Sequence, residues 1–308
     1  MTEGASPDSY EPLYKYVDIA GLRRILDGAI RFTQPSAFND PFELLPEIIV
    51  PHDAPDRQIS LSFDILAPRR ASLEDVPETI PEGCGSNDAL SRDIVQQLNQ
   101  LVGVLSLSRV RDSLLMWSHY ADQYAGAVVE FDGAHEFFAG QIDIDYRRTR
   151  PRRHVDAYLT GASIPVAELC AKSDQWTYEQ EVRIVRALAD CAPAGCNDGR
   201  GFPVFVQSIP ADAIKSVILG ERTPVAEQRE IYARLKETDV ALSLAAVDHA
   251  GFAFREERIK MAAPASRVGP WMSPRTAHIF SDRATPLGDV ARYLVEHHAM
   301  SQLVNKPV

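Results

Sequence analysis

The sequence contains no apolar run near the roughly 20 residues that a membrane-spanning helix needs. Its first residues, MTEGASPDSYEP, lack the basic stretch and the apolar stretch that together mark a secretory signal. Only four cysteines occur among 308 residues, and the closest pair, Cys191 and Cys196, has no nearby paired histidines to complete a zinc site. These absences predict a soluble, cytoplasmic protein with reduced thiols, no membrane association and no bound metal.

Positive charge is also scarce: the sequence has 32 Lys and Arg residues but 43 Asp and Glu residues, which gives a formal net charge of −11. A charge of this sign repels nucleic acid at long range, so nucleic-acid binding requires a local basic patch. The densest patch is the segment 147–153, which contains five arginines. It is interpreted either as a solvated loop or as a docking strip for phosphate or an acidic partner.

The familiar motifs of nucleotide-binding and hydrolytic enzymes are missing. The sequence has no GxGxxG after a strand, no GxxxxGK[ST], no GxSxG and no HExxH. A Rossmann dinucleotide site, a P-loop, a nucleophile elbow and a zincin centre are therefore not supported.

The hydrophobic content of 45% is nevertheless sufficient for a core, and its periodicity predicts α+β structure. Short strands such as LYKYV and GVLSLS interleave with single helices such as VAEQREIYARLK. We predict a mixed α+β fold, a single domain around a split or mixed β-sheet, over residues 12–260 with an insertion near 46–88. A flexible N-terminus (1–11) precedes this domain, and an extension with a terminal helix (261–308) follows it.

The motif LYKY would place Lys15 on one face of a strand, with Tyr14 and Tyr16 on the other. Alone, this pattern is typical of an edge strand with a solvated lysine. The motif FNDPFE would form an Asx-type turn, because Asn39 and Asp40 precede a proline. Its acidic residues are interpreted as serving this turn.

The motif WTYEQEVR would place Glu179, Glu181 and Arg183 on one face of a strand, since side chains alternate with a period of two. This row of charged residues is interpreted either as a solvent-exposed face of the sheet or as part of a functional site.

The motif LMWSHYAD would place Trp117, His119 and Tyr120 within one turn of a helix. The N-cap of this helix would be Asp112. This aromatic set is interpreted either as core with a hydrogen-bonded histidine or as the lining of a pocket.

In this order the motifs resemble those of the bacterial family catalogued as domain of unknown function 2971. The matching segments are LYKY, ILDGAIRFTQPSAFNDPFE, LSLS, LLMWSHYADQYAGAVVEFD, KSDQWTYEQEVRIV and IPADAIKSVILGER. The resemblance covers roughly residues 12–235 apart from the insertion, and the family name carries no activity.

The chain is more distantly similar to ADP-ribosyltransferases of the Arg-Ser-Glu type, including DNA-targeting toxins. This resemblance implies an ADP-ribosyltransferase-like fold in which Lys15 takes the basic position, where Arg or His is more usual. Ser106 or Ser108 would take the serine position, and Glu179 with Glu181 would form the ExE pair.

The implied reaction cleaves the nicotinamide glycosidic bond of NAD, which acts as a substrate. Glu181 would stabilise the oxocarbenium character that develops on the ribose, and Glu179 would activate the acceptor as a general base. No metal is required. The residues expected to bind NAD are Lys15, Tyr16, Ser106, Ser108, Trp117, His119, Tyr120 and Arg183.

The sequence thus favours an NAD-dependent ADP-ribosyltransferase that modifies an unidentified protein or nucleic acid, which makes it a candidate toxin or defence protein. Two alternatives keep the same fold: an NAD glycohydrolase, and a non-catalytic binding module in which the charged residues form structural ion pairs. A further alternative is a hydrolase or nuclease of another fold that uses Asp40, Glu43 and His119.

Overall fold

The structure is a computed structural model that describes residues 11–53, 62–67, 80–156 and 163–304. The chain folds into two compact units, and each unit is assembled from separated segments. Unit 1 comprises the described residues of Met1–Gly28, Ser108–Phe137 and Ile209–Val308. Unit 2 comprises those of Ala29–Leu107 and Phe138–Ser208. The single domain over residues 12–260 stays a prediction.

Short strands and short helices alternate along the chain, which confirms the predicted mixed α+β class. The strands are β1 (Pro12–Val17), β2 (Ala29–Phe32), β3 (Glu47–Pro51), β4 (Phe63–Asp64), β5 (Cys84–Ser86), β6 (Val102–Ser108), β7 (Ala127–Asp132), β8 (Ile142–Asp143), β9 (Asp145–Arg147), β10 (Arg152–His154), β11 (Ile164–Pro165), β12 (Ala171–Ser173), β13 (Glu181–Ala187), β14 (Ala192–Asn197), β15 (Pro203–Ser208), β16 (Ile214–Leu219), β17 (Ala241–Val247) and β18 (Phe254–Lys260). The α-helices are α1 (Ile19–Leu26), α2 (Asp88–Leu101), α3 (Leu114–Tyr120), α4 (Val225–Leu235), α5 (Ala265–Val268), α6 (Pro286–His297) and α7 (Ala299–Gln302).

Unit 1 is built on a mixed sheet in which the strands follow the order β18-β17-β16-β7-β1. Strands β16 and β17 run parallel, and the other neighbouring pairs are antiparallel. Helix α1 begins at an N-cap, Asp18, whose carboxylate accepts a hydrogen bond from the backbone N of Gly21. Helix α3 begins after Ser113, so the predicted N-cap at Asp112 is wrong by one residue.

Unit 2 holds the remaining strands, which are β6, β13 and β8 of the eight-stranded sheet and the members of smaller two- and three-stranded sheets, together with a cluster of buried apolar residues. Strand β13 lies between β6 and β8, and β2, β15 and β14 form a second sheet. Helix α2 packs its buried residues Ile94 and Leu98 into a core that includes Val102, Val104 and Val185. This core supports the two strands, β6 and β13, that carry the candidate site.

The predicted insertion near 46–88 falls in unit 2, where its described part contributes strands β3, β4 and β5. Strand β3 pairs in parallel with β10 and antiparallel with β5. Residues 54–61 and 68–79 of the insertion lie outside the described residues. Within the described ranges, no helix has the length and apolar character that crossing a membrane requires.

Candidate functional site

The motif WTYEQEVR does not form one continuous strand. Residues Asp174–Glu179 form a 3-10 helix whose N-cap, Ser173, accepts a hydrogen bond from the backbone N of Gln175. Gln180 then adopts a left-handed conformation, with φ of 41°, and strand β13 begins at Glu181. The prediction that Glu179 lies on a strand is therefore wrong, because side chain to backbone hydrogen bonds favour a turn over extended structure here.

The turn places the side chains of both glutamates in contact with the same lysine. Lys172 Nζ donates hydrogen bonds to Glu179 Oε2 at 2.6 Å and to Glu181 Oε2 at 3.3 Å. A third carboxylate, that of Glu43, lies 3.2 Å from the same nitrogen. Trp176 covers the ammonium with its ring, whose centre is 4.7 Å from Nζ.

Arg183 provides the second positive charge. Its Nε donates to Glu181 Oε1 at 2.7 Å, and its Nη2 contacts both Glu181 and Glu43. The guanidinium stacks on Phe38, with 5.0 Å between Cζ and the ring centre. We call Glu43, Lys172, Glu179, Glu181 and Arg183 the buried ion cluster, because each of these residues is at most 6% exposed.

Neutral side chains complete the surroundings of Glu181. The hydroxyl of Ser106, on the neighbouring strand β6, donates a hydrogen bond to the Glu181 carboxylate. The backbone N of Glu181 donates to the Tyr146 hydroxyl at 2.7 Å. Glu181 is therefore bound through its main chain and through both carboxylate oxygens.

These contacts hold Glu181 ionised. Burial alone would raise its pKa, but the charges of Arg183 and Lys172 and the hydrogen bonds from Arg183 and Ser106 lower the pKa to about 2. Burial, together with the charges of Glu181 and Glu179, raises the pKa of Tyr146 to about 12. Around neutral pH Glu181 is thus a carboxylate and Tyr146 a neutral phenol.

The other residues that the sequence proposed for NAD binding lie in unit 1. Lys15 is half-buried on β1, and Tyr16 donates from its hydroxyl to the Val110 carbonyl at 3.0 Å. Trp117 is 1% exposed and packs edge-on against Tyr16 and Phe254. This packing favours the interpretation of Trp117 as a core residue.

Ser108, His119 and Tyr120 also belong to unit 1. The Ser108 hydroxyl is buried and exchanges hydrogen bonds with the backbone of Val110. His119 is exposed, and its ring meets the edge of the half-buried Tyr120. Of the two serines considered for the serine position, Ser106 is the one bonded to Glu181.

Sequence reasoning missed Lys172 and the role of Glu43. The segment VAELCAKS forms a 3-10 helix, Val166–Leu169, followed by strand β12, which carries Lys172. Glu43 lies 140 positions before its partner Arg183, so no local pattern could link them. The one local signal for Lys172 is that a basic residue lies four positions before the motif WTYEQEVR begins at Trp176.

Comparison with known proteins gives no assignment: no protein family model, no curated protein and no solved structure matches this chain.

Proposed function

We propose that this protein is an NAD-dependent ADP-ribosyltransferase that acts on a protein or nucleic acid, with its catalytic glutamates in the buried ion cluster. Glu181 stabilises the ribose oxocarbenium ion, and Glu179 acts as the base toward the acceptor. The proposal includes membership of the family of domain of unknown function 2971 and an ADP-ribosyltransferase-like fold. It depends on residues of unit 2, while the contributions of Lys15, Tyr16, Trp117, His119 and Tyr120 in unit 1 stay predictions.

The main support for this proposal is the hydrogen bond that Ser106 donates to Glu181. The resemblance to Arg-Ser-Glu enzymes singled out a serine on a central strand and a glutamate on a later strand. Strands β6 and β13 are neighbours, and the two side chains are in contact although 75 positions separate them in the sequence. Glu179 joins them through the shared Lys172.

The electrostatics of the cluster are suited to this chemistry. Three carboxylates and two cations leave a formal charge of −1, and Glu181 stays ionised because its pKa is about 2. A buried site of net negative charge stabilises positive charge as it develops on a ribose ring, because little water screens the interaction. Such a glutamate acts as an electrostatic stabiliser and not as a proton donor.

One observation favours a second candidate, the non-catalytic binding module. Glu181 is only 5% exposed, and both of its oxygens already contact Lys172 or Arg183. NAD would reach this carboxylate only if neighbouring side chains moved. If the side chains of the cluster do not move, the cluster would stabilise unit 2 and would not catalyse a reaction.

The test is incubation with NAD labelled on its adenylate phosphate, alone and with cell lysate, purified protein and DNA. We expect label on a macromolecule for the wild type and a loss of at least 100-fold for Glu181→Gln, because the charge opposite the oxocarbenium ion is removed. Free ADP-ribose without labelled acceptor would indicate the glycohydrolase. Absence of turnover under every condition would contradict the proposal and support the binding module.

Two further variants separate catalysis from folding. Ser106→Ala removes the hydrogen bond to Glu181 but leaves the ion pairs, so we expect weaker transfer with an intact fold by circular dichroism. Glu82→Gln changes the same charge as Glu181→Gln at an exposed position of unit 2 and should keep full activity. Equal loss in Glu82→Gln would show that the assay responds to charge in general.

A further inference from the structure

A pocket of about 410 Å³ in unit 2 brings together the arginine-rich segment 147–153 and the edge of the buried ion cluster. Its charged lining consists of five cations and two carboxylates: Arg147, Arg148, Arg150, Arg152, Lys172, Asp40 and Glu47. The volume lies within the range of small-molecule sites, about 300 to 1,000 Å³. The arginine segment is therefore the wall of a cavity rather than an isolated solvated loop.

The fold holds this wall in place at both ends. Arg147 ends strand β9, which pairs in parallel with β12 so that Arg147 lies opposite Ser173. Arg152 begins β10 and lies opposite Glu47 of β3. The residues between these strands are anchored at both ends, and Arg148, Thr149, Arg150 and Pro151 are among the residues that line the pocket.

Several of the lining charges are already balanced within the protein. Arg152 donates to Glu47 at 2.7 Å, Arg147 lies 3.1 Å from Asp145, and Lys172 belongs to the buried ion cluster. Among the residues that the structure describes, Arg148 pairs with Asp174 alone, at 3.4 Å, and its side chain is 91% exposed. A surface pair of this kind contributes little, so the guanidinium can exchange its partner.

Arg150 completes the set of available cations. Within the described part of the chain, its guanidinium makes no ion pair or hydrogen bond. Its charge contributes, after the hydrogen bonds from Ser86 and Arg152, to holding the pKa of Glu47 below the ordinary value despite burial. Arg148 and Arg150 thus offer positive charge at the pocket that an anion could neutralise.

An aromatic ring stands beside these arginines. Phe42 lines the same pocket and is 61% exposed, although its ring is fully apolar. Its backbone N donates to Asp40 Oδ1 at 2.9 Å, so the Asx turn predicted for FNDPFE presents the ring from a fixed backbone. An exposed ring next to guanidinium groups is the pairing that binds a nucleobase together with its phosphates.

We propose that this arginine pocket binds a nucleotide, with its phosphates against Arg148 and Arg150 and its base against Phe42. The binding goes beyond the proposed transferase function, because it requires neither cleavage of NAD nor the carboxylate of Glu181. It also gives a role to the arginine segment and to FNDPFE, which the catalytic cluster alone leaves unexplained.

The test is isothermal titration calorimetry of the full chain with three probes: inorganic pyrophosphate, ADP and adenosine. We expect ADP to bind more tightly than pyrophosphate, and adenosine to bind weakest, because the phosphates supply most of the attraction. Arg150→Gln should weaken both pyrophosphate and ADP by about tenfold or more. Phe42→Ala should weaken ADP by about tenfold while leaving pyrophosphate unchanged.

Arg92→Gln is the matched control, because it removes the same charge from an exposed position on helix α2 of unit 2 and should change neither affinity. Failure of ADP and pyrophosphate to bind at millimolar concentration would overturn the proposal. Equal affinities in the wild type and Arg150→Gln would do the same. If pyrophosphate binds through Arg150 but Phe42→Ala leaves the ADP affinity unchanged, the site takes phosphate from any source and the nucleotide assignment is wrong.

The NAD-labelling experiment stays independent of this result. Loss of activity in Glu181→Gln with unchanged ADP binding supports both proposals. Absence of turnover in the wild type together with Arg150-dependent ADP binding would contradict the transferase and support the nucleotide pocket.

Discussion

At the scale of single residues, Lys172 is the centre of the buried ion cluster. Its ammonium lies within 3.3 Å of three carboxylates and within 4.7 Å of the Trp176 ring centre. Burying charge is costly, and the cost is offset here by ion pairs and hydrogen bonds on every side of the nitrogen. Glu43, Glu179 and Glu181 therefore share Lys172 as a common cation, and Arg183 adds a second cation for Glu43 and Glu181.

We expect Lys172→Met to lower the free energy of unfolding by about 3 to 5 kcal/mol, because three buried carboxylates lose the ammonium that they share and Arg183 becomes the one cation of the buried ion cluster. Urea unfolding followed by circular dichroism measures this difference. Lys215→Met is the control, since Lys215 forms a partly exposed pair with Asp132 and its loss should cost less than about 1 kcal/mol. A Lys172→Met protein as stable as the wild type would contradict the described cluster.

At the scale of elements, the join between the 3-10 helix Asp174–Glu179 and strand β13 determines the geometry of the glutamates. In a continuous strand, Glu179 and Glu181 would both point to one face with parallel side chains. Instead, Gln180 interrupts the extended backbone with a left-handed conformation, and the carboxylates of Glu179 and Glu181 both accept hydrogen bonds from Lys172 Nζ. The position of this single residue therefore decides whether the pair forms.

Substitutions at Gln180 test the role of the left-handed turn. Gln180→Gly should leave the free energy of unfolding within about 1 kcal/mol of wild type, because glycine adopts positive φ without strain. Gln180→Val should cost about 1 to 2 kcal/mol more than Gln180→Gly, because a β-branched side chain clashes in this conformation. The side chain is exposed, so lost packing does not complicate the comparison. Equal stability of the two variants would show that this φ is not required.

At the scale of the whole molecule, opposite charges are unevenly distributed. The net charge is −11, yet the arginine-rich segment concentrates positive charge at one pocket of unit 2. The cluster beside it contains the Glu181 carboxylate, which must stay ionised, and the Lys172 ammonium, which must stay protonated. Its contribution to stability is therefore limited at both ends of the pH scale.

We expect stability to be highest between about pH 4.5 and 10.5 and to fall on both sides. The Glu181 pKa is lowered from 4.5 to about 2, so its stabilisation is present above pH 4.5 and is lost as the pH falls toward 2. The Lys172 pKa is raised above its ordinary 10.5, since its three glutamates outweigh its burial, so its stabilisation is lost as the pH rises above 10.5. Urea unfolding across pH measures both limits.

Variants identify the group responsible for the acid limit. Glu181→Gln should show a shallower loss of stability between pH 4.5 and 2, because the depressed carboxyl group is absent. Glu82→Gln, at an exposed position, should retain the loss seen in the wild type. An identical acid profile in wild type and Glu181→Gln would assign the effect to other carboxylates.

The sequence by itself determined the α+β class and put Glu179, Glu181 and Arg183 in one candidate group, because alternating patterns and short motifs are local properties of the chain. The resemblance to Arg-Ser-Glu enzymes added Lys15 and either Ser106 or Ser108 to that group. Only the tertiary structure decided what these residues contact. Lys172 and Glu43 join the group because parallel pairing of β9 with β12 and the turn at FNDPFE bring distant segments together. Ion pairing depends on distances in space, and a separation of 140 positions, as between Glu43 and Arg183, leaves no periodic trace in a sequence.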